Sequence, residues 1–223
     1  MSTATELPNY VALTGYACLL IALFFIYFAY RKSTMGLVLW LAVLAVSLGL
    51  SFAIPASMSA AQKWLFLLLP GLAALGLQLS NKWTALQGEM GDDYLHFFHL
   101  WRLPAAFIPL WMYQSGVAPL QITFEGLNFD IIAGLTAPVL SSLAFSQQML
   151  NRTVVLVWNI LAALLLLSSC WLLIDEMSNN EPFSNWMNQM PFASLLFVLP
   201  SLSLAFHLLE IARLVQGKLK LAE

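Results

Sequence analysis

Apolar residues run along this chain in seven long stretches, separated by short polar connections. About 20 helical residues cross the hydrocarbon core of a bilayer. Inside that core a helix is favoured because it satisfies its own backbone hydrogen bonds. The stretches fall near 10–30, 34–54, 62–80, 93–113, 131–150, 153–175 and 191–213. They predict an all-α, polytopic membrane protein, a seven-transmembrane-helix bundle, with residues 1–223 as a single transmembrane domain. The fourth and fifth stretches are the most polar. The fourth carries His96, His99 and Arg102; the fifth carries Thr136, Ser141, Ser142, Ser146, Gln147 and Gln148. Such residues are expected to face protein or water, because a charge exposed to lipid is costly.

Composition agrees with that reading. Hydrophobic residues make up 61% and charged residues 9%, against roughly 25% charged in a soluble domain. Mean hydropathy is +0.81. No basic patch suggests nucleic acid. Residues 1–9 carry Glu6, no basic residue and no following small-residue cleavage site, so the first stretch is read as a permanent helix rather than a signal peptide. Cys18 and Cys170 lie within spans and are expected to be buried free thiols.

Charge placement orients the chain. With seven alternating spans, Arg31, Lys32, Lys82, Arg152, Arg213, Lys218 and Lys220 fall on one side. The other side receives Lys63 with Glu6, Glu125, Asp130, Asp175, Glu176 and Glu181. The positive-inside rule then puts the N-terminus outside and the C-terminus in the cytoplasm. The expected location is a bacterial cytoplasmic membrane, with the lipid bilayer as the first partner.

Two longer connections, about 114–130 and 176–190, are expected outside. Segment 176–190 reads as a solvated loop with Asn179, Asn180, Pro182, Ser184 and Asn185. Segment 121–130 mixes Phe124 and Phe129 with Glu125, Asn128 and Asp130. It reads as a lid or shallow re-entrant turn, or as an interfacial loop anchored by its phenylalanines. Asp130 is also placed to cap the fifth helix. Pro70, Pro138 and Pro200 are expected to bend spans three, five and seven. Phe66-Leu-Leu-Leu-Pro70-Gly-Leu echoes Phe197-Val-Leu-Pro200-Ser-Leu, a weak sign of a three-plus-one-plus-three pseudo-repeat.

Candidate chemistry concentrates on spans four and seven. His96, His99 and Arg102 recur every three residues and share one broad helix face. With a helix start near residue 93, His99 and Arg102 lie roughly 9 and 14 Å in from the cytoplasmic end. Pro104 frees a backbone carbonyl near residue 100. A mid-membrane arginine reads either as an anion contact or as a structural ion pair or carbonyl clamp. Span seven offers Ser203, His207, Glu210 and Arg213 along one stripe. His207 falls at about the depth of His96 and His99, so the three histidines and Glu210 meet if the two spans are neighbours. Proton relay through His and Glu is one reading, and hydrogen-bonded packing with a Glu210–Arg213 pair is the other. His96, His99 and His207 are weak metal or haem candidates, since His96-x-x-His99 is no zincin motif. Asn159, mid-helix in span six, reads as interhelical glue or as a cavity-lining amide.

Other chemistry is excluded by residue placement. All lysines lie near span ends or in loops, so none is placed for a retinal Schiff base. No P-loop or Gly-x-Ser-x-Gly elbow occurs. Four residues after His207 stands Ile211, which departs from the paired histidines on the last helix of ceramidase-type zinc hydrolases. No cofactor is expected.

Several strings together carry a resemblance. They are His99-Leu-Trp-Arg102-Leu-Pro104, Thr123-Phe-Glu-Gly-Leu-Asn-Phe-Asp-Ile131, Gly134-Leu-Thr-Ala-Pro138, Trp158-Asn159 and the stretch His207 to Arg213. Together they resemble a family of bacterial seven-helix integral membrane proteins of about this length, one with no activity attached to it. The resemblance covers mainly residues 96–213. It implies seven helices and groups Arg102, Glu125, Asn128 and Asp130 as one set. In the family pattern an acid stands two residues after the span-four proline; here that position is Ala106, so Arg102 needs another counter-ion, for which Glu125 is the choice.

Three functional readings follow. The first is a polar cavity within the bundle, lined by span-four and span-seven residues and lidded by 121–130, that binds or transports a small, anionic molecule. Its ligand-binding candidates are Arg102, His99, Glu125, Asn128, Asp130, Asn159, His207 and Glu210. The second is an intramembrane enzyme with His99 or His207 as general base beside Glu125 or Glu210. The third is a non-catalytic subunit whose polar groups bind a partner membrane protein.

Overall fold

In the computed structural model, residues 7–52, 58–80, 92–217 and 221 are described. Every regular element among them is helical. Helices α1 (Asn9–Tyr30), α2 (Thr34–Phe52) and α3 (Ala60–Leu79) come first. An interrupted fourth segment follows: α4 (Asp92–Phe98), a 3-10 turn at His99–Trp101, α5 (Arg102–Ala105) and α6 (Phe107–Gln114). Next is α7 (Ile131–Ser141), which widens into a π turn over Ser142–Ser146. The chain then forms α8 (Arg152–Asn179), α9 (Glu181–Met187), α10 (Phe192–Phe197) and α11 (Leu199–Val215).

Among the described residues, three helical stretches are long and apolar enough to cross a membrane: Asn9–Tyr30, Arg152–Asn179 and Phe192–Val215. Thr34–Gly49, Ala60–Ala73 and Ile131–Ser146 are apolar but shorter. Glu6, Lys82, Lys218 and Lys220, which entered the signal-peptide and orientation readings, lie outside the described residues.

Burial is distributed as lipid requires. The most apolar window of Phe192–Val215 is 94% buried, against 28% for α1 and 39% for α8. The last helical stretch is therefore the central post, and α1 and α8 are staves around it. Their outward faces carry Leu13, Leu20 and Phe24 on α1, and Leu161, Leu164 and Trp171 on α8, all exposed. The interior holds the polar residues instead: His96, His99, Arg102, Asn159, His207 and Glu210 are all fully or almost fully buried. Water would reverse this arrangement; hydrocarbon outside favours it.

The post packs against α3 and α8, while α7 packs against α4, the 3-10 turn and α5. The two echoing proline motifs meet each other. The Gly71 N–H donates to Ser201 Oγ at 2.8 Å, and a Cβ at Gly71 would collide with the Ser201 carbonyl oxygen. Only glycine permits that approach of α3 to the post.

Pro200 sits in the first turn of α11, directly after the interruption at Val198 that divides the last helical stretch, and its missing N–H costs nothing there. Pro70 and Pro138 do lie inside α3 and α7. Segment 176–190 is not a solvated loop. Helix α8 continues to Asn179, and Asn180 caps α9 by accepting from the Phe183 N–H at 3.1 Å. Phe183 and Met187 are then buried, so the apolar side of a short helix outweighs its polar composition. Cys18 and Cys170 are free and buried.

Candidate functional site

The segment 120–130 is built by its own side chains. Thr123 Oγ1 donates to the Leu120 carbonyl at 2.8 Å and accepts from the Glu125 N–H at 3.2 Å. Asn128 Nδ2 donates to the Ile122 carbonyl at 3.1 Å, and Asn128 Oδ1 accepts from the Asp130 N–H at 3.3 Å. Short polar side chains that bond nearby backbone are the usual means of fixing a loop. Phe124 is half-buried against the Phe107 ring, 5.3 Å between centroids, while Phe129 is exposed.

That scaffold delivers Asp130 to Arg102. Arg102 Nη1 donates to Asp130 Oδ1 at 3.1 Å and to the Ala162 carbonyl at 3.2 Å. Asp130 precedes α7 but makes no side-chain cap; its carboxylate is spent on the guanidinium. Glu125 is exposed on the loop, so it is not the counter-ion of Arg102. The turn held by Thr123 and Asn128 directs Asp130 inward. Burial pushes the Asp130 carboxyl above its ordinary value, and the Arg102 charge opposes that rise. Gly134 makes room for the pair's backbone: a Cβ there would stand 2.7 Å from the Leu103 nitrogen.

From Arg102 a chain of hydrogen bonds runs through the bundle, and its direction can be derived. A guanidinium has donors only. Arg102 Nη2 lies 2.9 Å from His207 Nε2, so that nitrogen accepts and His207 is neutral with its proton on Nδ1. His207 Nδ1 then donates to Asn159 Oδ1 at 2.8 Å. Independently, Asn159 Nδ2 donates to the Val155 carbonyl at 3.0 Å, which fixes the amide the same way round. Its second N–H donates to His96 Nε2 at 3.3 Å. His96 Nδ1, which keeps the proton, lies 2.9 Å from Glu210 Oε1, a close polar contact without hydrogen-bond geometry. The chain therefore reads Arg102 to His207 to Asn159 to His96, every donor pointing the same way, with Glu210 in contact beyond it.

His99 stands beside this chain. Its ring stacks on His207, centroids 3.9 Å apart and planes within 2°. Neither of its nitrogens has a hydrogen-bond partner among the described residues. Ring-nitrogen lone pairs lie in the ring plane, so stacked imidazoles do not aim at one point between them. Both nitrogens of His96 are already engaged. No group of three His, Cys, Asp or Glu among the described residues is arranged to hold a metal ion.

A partly open pocket adjoins the ion pair. Water-sized centres have about 60 Å³ there, equivalent to about four to six waters at 10–15 Å³ each. Arg102, Asn128 and Asp130 contribute the polar end, with Ser169 and Cys170 nearby; Ile108, Leu166, Leu173, Phe192 and Leu195 form apolar wall. The pocket differs from the cavity expected from sequence. His99, Asn159, His207 and Glu210 do not line it, because they are consumed in packing against one another. Helix α8 supplies more of the wall than the last helix does. Trp101 lines it too and is fixed by donating from Nε1 to Ser203 Oγ at 3.1 Å. The Trp101, Ser169 and Cys170 contributions were missed in the sequence; nothing about an isolated Ser or Cys in an apolar span distinguishes a cavity wall from packing.

No family model, curated protein or solved structure matches this chain.

Proposed function

We propose that this chain is a seven-span protein of a bacterial cytoplasmic membrane that binds or transports a small molecule in the pocket ending on Arg102 and Asp130. The carrying observation is that pocket: apolar walls converging on a buried ion pair, with a loop supplying one of the two charges. Concave sites with apolar walls and a few fixed polar groups are the usual form of small-molecule sites. Three long apolar helices, three shorter ones and the interrupted segment 92–114 are consistent with a count of seven crossings. That fourth segment has a length of about 34 Å at 1.5 Å per residue. The charge distribution supports an outside N-terminus and a cytoplasmic C-terminus.

Acid–base catalysis ranks second, because a general base must reach the reacting atom and the pocket is lined by none of the three histidines. The subunit reading predicts copurification with another membrane protein and no ligand in the pocket.

The test is thermal unfolding of the purified protein in nanodiscs against small carboxylates, amides, alcohols and amines. A ligand specific to the folded state raises the transition. At least one class should stabilise the wild type and leave the pocket-filling variant Ser169→Trp unmoved. No stabilisation by any class, or equal stabilisation of both proteins, overturns the reading.

A further inference from the structure

We propose that the pocket takes a small monocarboxylate together with one proton, the carboxylate bonding to Arg102 and the proton going to Asp130. This rests on the small-molecule reading above and names its ligand class. Arg102 lines the pocket and its Nε–H has no hydrogen-bond partner among the described residues. A carboxylate is the planar, two-oxygen acceptor that matches a guanidinium edge. The apolar wall of Ile108, Leu166, Leu173, Phe192 and Leu195 suits a short alkyl or aryl tail, and the space limits its size.

Charge balance supplies the proton. Arg102 and Asp130 already neutralise each other at 3.1 Å. A carboxylate added to that pair leaves a net negative charge in a largely apolar pocket, which is costly. One proton from solvent, added to a carboxylate oxygen of Asp130, restores neutrality. It also turns Asp130 into a donor for one oxygen of the incoming carboxylate, while the other oxygen takes the Arg102 Nε–H. No covalent bond forms or breaks except that O–H bond.

The groups around Asp130 favour this exchange. Arg102 faces it from α5 and the Cys170 thiol from α8. His207 of α11, and His99 stacked on it, are reached only through Arg102. Glu125, on the same loop, is exposed. The proton carrier is Asp130 rather than Arg102, because a guanidinium does not give up its proton. Burial already raises the Asp130 carboxyl toward protonation.

The experiment titrates benzoate and butyrate, and their neutral amides, into the protein in nanodiscs under weak buffering, with proton uptake read by a pH dye. The expected result is one proton taken up per carboxylate bound. Affinity for benzoate should rise about tenfold per unit fall in pH while free Asp130 is ionised, and the amides should bind at least tenfold more weakly. Asp130→Asn mimics the protonated acid; it should bind benzoate with pH-independent affinity and no proton uptake. Benzoate binding without uptake in the wild type overturns the inference whether or not that variant folds. Amides binding while benzoate does not would overturn this inference and leave the small-molecule reading standing. If neither class nor any other small molecule binds, both fall.

Discussion

Replacing Asp130 by Ala isolates the Arg102 charge. The two groups stand 3.1 Å apart, which at an effective dielectric constant near 20 is an attraction of about 5 kcal/mol. Arg102 is 1% exposed and cannot shed its proton, so Asp130→Ala leaves an uncompensated buried cation, a change that costs about 3–5 kcal/mol. Arg102→Met acts differently. The remaining carboxyl can take a proton, so its charge costs less, but His207 Nε2 loses its donor, at about 1–3 kcal/mol for an orphaned acceptor. In the double variant Arg102→Met/Asp130→Leu both charges are gone and only that acceptor is unsatisfied. Its loss should be about 1–3 kcal/mol, smaller than the sum of the single losses by about 3 kcal/mol. Unfolding by SDS in bicelles, run on all four proteins as a double-mutant cycle, measures these differences. A loss below about 1 kcal/mol for Asp130→Ala, or single losses additive within about 0.5 kcal/mol, would refute the claim that a desolvated ion pair joins the loop to the bundle.

The hydrogen-bond chain should break at its middle: Asn159→Leu strips an acceptor from His207 and a donor from His96, and should cost about 2–5 kcal/mol in the same unfolding assay. Where α3 meets the post, Gly71→Leu should lower stability by about 1–3 kcal/mol, because Ser201 backbone stands where the side chain begins; an unchanged unfolding midpoint would argue against that contact. Asn128→Ala releases the Ile122 carbonyl and the Asp130 N–H and should speed proteolysis within 120–130 while the helices stay protected. With single cysteines, Gly116→Cys should label from outside intact cells and Gly217→Cys only after permeabilisation; the reverse pattern would invert the proposed topology.

The apolar stretches placed the helices to within a few residues, because lipid leaves a helix few alternatives. They did not show the early end of the fifth segment in a π turn; the interruption at His99–Trp101 falls where Pro104 frees a carbonyl near residue 100. The polar set His96, His99, Arg102, Asn159, His207 and Glu210 was also legible, since each is expensive in an apolar span. Its bonding was not. Whether segments four, six and seven touch is a matter of bundle packing, and helix periodicity fixes only which face each residue shares. The counter-ion shows the limit most clearly. Glu125 and Asp130 are both acids of one short segment, and the choice between them turns on two side chains, Thr123 and Asn128, folding the backbone back on itself. Sequence distance favoured neither.

The directed chain also bears on proton movement through the bundle. A relay needs each group to accept a proton on one side and release one on the other. His96 and His207 meet that requirement. Arg102 does not, since it has only donors and keeps its charge. Asn159 does not either, because passing a proton would convert its amide to the imidic acid, while its Nδ2 is already bound to the Val155 carbonyl. A continuous relay from Asp130 to Glu210 is therefore interrupted twice. What the chain does instead is fix geometry. It holds His207 in the tautomer that accepts from Arg102, and so locks the guanidinium against the pocket at one end. At the other end it sets His96 Nδ1 2.9 Å from Glu210 Oε1, deep among helices. In the proposed carboxylate binding the proton would enter and leave at Asp130, on the pocket side, with His207 holding the arginine in place.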